Sequence, residues 1–98
     1  MTKGAEETNR IWRDSIWIDH NDGIRAVNRS IDDALLKKET RTSGVSVGPD
    51  HDHAMNIAKY FAGMGYKVRL TFIDSEGTYF ISVDFGFEDN INVRHIRI

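Results

Sequence analysis

Four histidines, at positions 20, 51, 53 and 95, are the side chains best suited to chemistry near neutral pH. Imidazole exchanges a proton there, and its neutral form ligates metals. Two of them stand in the run Asp50-His51-Asp52-His53, and His20 is followed closely by Asp22. Imidazole and carboxylate donors suit zinc or another transition metal. In an extended segment alternate residues share a face, so His51 and His53 could reach one ion, with His20 and Asp22 as further ligands. The competing reading is a helix start rich in aspartate, with the histidines solvated, because carboxylates complement the positive helix end. The run matches no established ligand spacing. No metal and no cofactor is therefore expected; if a metal is held, His51 and His53 are the candidates.

Catalysis needs more than a histidine: a nucleophile or an oriented pocket must accompany it. The chain has no cysteine and no Gly-x-Ser-x-Gly elbow, and its acidic residues show no spacing that singles out a catalytic pair. Gly44-Val45-Ser46-Val47-Gly48-Pro49 lacks the Lys-Ser/Thr ending of a phosphate-binding loop. Gly63-Met64-Gly65 closes a helix instead of opening one, so it supplies no helix N-terminus for a phosphate. The expectation is a protein that is not an enzyme.

Binding chemistry rests on a few large side chains. Trp12 and Trp17 lie in an N-terminal segment, where they either cover the core or anchor a partner, tryptophan being frequent at interface hot spots. Phe80, with Lys67, Arg69 and Arg94, could form a basic sheet face on which bases stack. A stacking platform normally uses two or three rings, and Phe80 is one. The residues named for partner binding are Trp12, Trp17, Arg69 and Phe80.

The elements that position these residues follow from hydrophobic periodicity. Residues 1–8 are polar and read as a frayed tail; residues 9–98 read as one domain. Residues 9–18 suit a helix or a strand equally. Asp22 reads as an N-cap for a helix from about Gly23 to Glu39, with Ile24, Val27, Ile31, Ala34 and Leu35 as its buried stripe. Val45–Val47 reads as a short strand stopped by Gly48-Pro49. Asp50 or Asp52 caps a second helix to about Met64, burying Ala54, Ile57, Ala58 and Phe61, with Gly65 as its left-handed terminator. Three strands then read as a meander, with turns at Asp74-Ser75-Glu76-Gly77 and Glu88-Asp89-Asn90. If the first strand runs parallel to the second, the helix between them is a crossover. In the last strand Ile91 and Val93 share one face and Ile96 and Ile98 the other, a conflict that a bulge near Arg94-His95 would resolve. Otherwise one of these pairs meets a partner or the N-terminal segment.

The fold class is thus α+β. Two helices pack on one face of a mixed, mostly antiparallel four-stranded sheet, in the order α-β-α-β-β-β. The other face should carry Arg69, Thr71, Phe80 and Ser82, with Asp84 at its margin.

Totals agree with this reading. A chain of 98 residues, 40% hydrophobic and 29% charged, suits one globular domain with its own core. The net charge of −2 divides into −2 over residues 1–22, +2 over 23–42 and −2 over 43–98. None of these regions has the dense basic character of a duplex-binding domain. The absence of cysteine, of a signal-peptide core and of a long apolar run points to the cytoplasm and away from membranes.

Small domains without catalytic motifs act more often by binding than by catalysis. The functional expectation is a small protein-binding regulator or inhibitor, of the kind encoded by phages and toxin–immunity systems. It would act by sterically masking a partner protein, and a homodimer through an edge strand is an additional expectation. The alternatives are an RNA or single-stranded nucleic-acid binder using the basic sheet face, and a metal-dependent enzyme.

Overall fold

The computed structural model describes residues 4–85 and 91–96. Along the chain these form α1 (Ala5–Leu36), β1 (Val45–Gly48), α2 (His51–Ala62), β2 (Lys67–Ile73), β3 (Thr78–Asp84) and β4 (Ile91–Ile96). The turn expected at Glu88–Asn90, Ile98 and the side chains of Ile91 and Arg94 lie outside the described residues.

The second helix forms as its sequence dictates. The Asp50 carboxylate accepts hydrogen bonds from the backbone N–H groups of Asp52 and His53, at 2.9 and 3.3 Å. Two of the donors that every helix start leaves unpaired are thereby satisfied. Ala54, Ile57, Ala58 and Phe61 recur at three- and four-residue spacing, and all four are fully buried. The helix stops at Ala62, two residues before its expected end, and Gly65 takes the left-handed conformation at φ +98°. That conformation is unstrained only for glycine.

α2 packs on a mixed sheet of order β1-β3-β2-β4. β2 and β3 are an antiparallel hairpin closed at Asp74–Gly77, with Gly77 at φ +63°. Val68, Leu70, Ile81 and Val83 point to the helices and are fully buried. Full burial of an aliphatic side chain stabilises by about 1.5–3 kcal/mol, so these alternating positions fix which face is inward. Thr42 is the one buried polar residue among the described residues. Its backbone N–H donates to Val83 O, and its hydroxyl accepts from Val83 N–H, each at 2.9 Å, which ties the loop before β1 to β3.

The last three strands are not a meander. β4 pairs with β2, in parallel, from Val68↔Ile91 to Ile73↔Ile96. The reason is occupancy: β1 already pairs with the outer edge of β3, through Val45↔Ile81, leaving β2 as the open edge. β1 and β2 do run in the same direction, but β3 lies between them, so α2 does not link adjacent strands. The bulge expected near Arg94-His95 is absent, since the β2–β4 register is unbroken. The irregularity falls instead in β1, between Ser46 and Gly48. The apolar conflict in β4 is left exposed: Val93, opposite Leu70, is 56% exposed at an edge the helices barely reach, and Ile96 is 37% exposed.

The N-terminal segment resolves as helix. α1 begins at Ala5, inside the stretch expected to fray, and continues through residues 9–18. It is in effect two helices, broken at His20, whose φ of −131° and ψ of 26° are non-helical. Asp22 is therefore not an N-cap; the chain is already helical there. Both arms return to the C-terminal end of α2. Asn9 Oδ1 would stand 3.4 Å from a Cβ on Gly63, and Ile31 and Leu35 line a groove with Met64, Gly65 and Tyr66. Ile16 on the first arm and Ile24, Val27, Ile31 and Ala34 on the second are buried. Leu35 is not, at 59% exposed. Ala34 and Leu35 both stand at a spacing that follows Ile31, and only Ala34 turns inward. The helix ends at Leu36, and Lys38 takes φ +57° beyond it. Lys37 bonds Asp33 at 3.1 Å, and that hydrogen bond holds its pKa above the usual lysine value.

Candidate interaction surfaces

With both helices on one side, the other face of the sheet is open. It carries Lys67, Arg69, Thr71 and Ile73 from β2 and Thr78, Phe80, Ser82 and Asp84 from β3, all partly exposed. Cross-strand pairing sets their neighbours: Arg69 faces Ser82, Thr71 faces Phe80, and Ile73 stands between Thr78 and Ile96. Phe80 lies against Gly44, where a Cβ would sit 3.4 Å from its own. Ser46 Oγ and Thr78 Oγ1 share a hydrogen bond of 3.1 Å beside it. Among the described residues the face therefore has one aromatic side chain, with hydroxyls, two isoleucines and cations around it.

At one margin Arg41 approaches Asp84 at 3.3 Å, an exposed pair worth at most about 1 kcal/mol. Arg41, Lys67, Arg69, Ser82 and Asp84 edge a dent of about 30 Å³, roughly the room of one water. A small-molecule pocket is typically 300–1,000 Å³ and encloses its ligand. This face is shaped for a broad surface instead.

The four residues named from the sequence for partner binding fall on two opposite sides. Arg69 and Phe80 share the open sheet face. Trp12 and Trp17 are half-buried on the first arm of α1 and pack against the core, with the Arg25 guanidinium 5.5 Å from the Trp17 ring. No single flat partner surface spans all four.

The histidines collect at the opposite end from Lys67, around the start of α2. His20 Nδ1 and His53 Nδ1 are 2.6 Å apart, across the α1–α2 contact. The Asn56 amide lies 3.4 Å from His20 Nε2. A Cβ on Gly23 would stand 2.3 Å from Ile57 Cδ1, so glycine lets α1 approach this closely without displacing that side chain. His51 turns away, with its ring 5.7 Å from Tyr79. Two residues apart on a helix point in nearly opposite directions, so the extended geometry that would join His51 to His53 is not available. A further run of rings passes from Tyr79 to Phe72 to His95, at 4.7 and 5.1 Å, and His95 Nε2 meets Asp74 Oδ1. The His20–His53 pairing spans 33 residues of sequence, and nothing in the local spacing announces it.

Among the described residues no three His, Asp or Glu side chains converge on one point, and none of the helices is long and apolar enough to cross a membrane. Comparison of the chain with protein-family models, with curated proteins and with solved structures finds no match.

Proposed function

We propose that this chain is a small non-catalytic protein-binding regulator or inhibitor that lays its open sheet face on a partner protein and masks it. The supporting observation is the uncovered face itself: Phe80 at its centre, flanked by Thr71, Ile73, Ser82 and Arg69, with no element over it among the described residues. Interface centres are enriched in aromatic side chains and arginine, and a surrounding ring of short polar groups excludes water. A single ring suits a protein partner better than a stacked single strand, which draws on several. The absence of cysteine fits a cytoplasmic setting for this activity.

The test is capture from a lysate of the encoding organism, with and without nuclease. The reading expects a stoichiometric protein that survives nuclease and is lost with Phe80→Ala or Arg69→Ala. Each substitution should cost more than about 1 kcal/mol of binding. Recovery of nucleic acid, with affinity falling steeply in salt, would move the face to the nucleic-acid reading. A partner retained by both variants would mean that the face is not the docking surface.

A further inference from the structure

We propose that His20 and His53 form a two-imidazole site for a zinc-type dication, a site independent of the sheet-face reading. Two imidazoles, one at the break in α1 and one on α2, bring their Nδ1 atoms within 2.6 Å of each other. The break in α1 occurs at His20 itself, and Gly23 one turn later lets the arm approach α2. Both rings are half-buried, so an ion can reach them from solvent.

The ring environment matches what a ligating histidine needs. Such a histidine normally donates its other N–H to an oxygen, which fixes tautomer and orientation. The Asn56 side-chain amide stands at that position, with its nitrogen 3.4 Å from His20 Nε2. Amide oxygen and nitrogen are interchangeable by rotation. With the oxygen presented, His20 carries its proton on Nε2 and frees the Nδ1 lone pair. The shared proton between the rings is thus given up by a tautomer change, with no net loss of protons. Tetrahedral zinc with bonds of about 2.0–2.1 Å sets its nitrogen ligands about 3.3 Å apart, so the rings must open by less than 1 Å.

The surrounding charge favours a cation. Within three residues of His20 and His53 the chain carries four carboxylates, Asp19, Asp22, Asp50 and Asp52, and no lysine or arginine; Arg25, two residues past Gly23, lies over the Trp17 ring. The start of α2 opposes a cation with about half a positive charge. Asp50 and Asp52, both at that helix start, carry two formal negative charges and outweigh it. Two protein ligands leave two tetrahedral positions for water or for a donor from outside the chain.

The test uses the full chain without a histidine tag. Zinc chloride is titrated by calorimetry, and the imidazole nitrogens are followed by NMR. The expected result is saturable 1:1 binding that shifts the ring signals of His20 and His53 but not those of His51 or His95. His20→Ala and His53→Ala should abolish it, His51→Ala should leave it intact, and Asn56→Leu should weaken it about tenfold or more. The spectrum of the unaltered chain decides the matter even if an alanine variant fails to fold. No saturable binding, or binding that moves His51 and His95 instead, would overturn the site.

Discussion

A single missing side chain controls how α1 meets α2. At Gly23 a Cβ would stand 2.3 Å from Ile57 Cδ1, so the end of the fully buried Ile57 side chain would have to shift. Gly23→Ala should therefore destabilise the fold by about 1–3 kcal/mol, although alanine is the better helix former. Urea denaturation measures this directly; a stabilised variant would mean that the arms are not packed as described. Gly23 was not legible as a contact residue, because the sequence offers only a capping pattern around Asp22. Asp50, by contrast, was legible, because its capping bonds are local. Leu35 was misread for a related reason: periodicity gives a stripe but not the rim at which the core stops.

At the scale of elements, patterns confined to one segment were readable and pairings between segments were not. The α2 stripe, the β2–β3 alternation and the Asp74–Gly77 turn all follow from neighbours within a few residues. The placement of β4 does not, because it depends on β1 having taken the edge of β3. The segment around Trp12 was ambiguous because its few apolar residues satisfy both periods; packing of Trp12, Ile16 and Trp17 against the core selects helix. The sheet order makes a further expectation. β2 and β3 are flanked on both sides, whereas β4 is an edge with Val93 and Ile96 exposed. Native-state hydrogen exchange should find the β2 and β3 amides slowest and β4 opening first. Equal protection in β4 would show that this edge is covered by something else, such as a second copy of the chain.

The whole molecule separates its chemistry in space. The helices and sheet enclose one core, His20, His51 and His53 gather around the start of α2 with His95 beside Phe72 and Asp74, and the open sheet face carries Phe80 and Arg69. Sequence alternation alone put Arg69 and Phe80 on one face, and they are there. It had no means of placing Trp12 and Trp17 relative to them, and these lie on the other side. The central claim is that the Phe80 face meets a protein. A photo-cross-linking amino acid at position 80, and separately at position 12, tests it most directly in a nuclease-treated lysate of the encoding organism. One discrete protein adduct is expected from position 80 and none from position 12. An adduct from position 12 alone, or none from position 80, would contradict it.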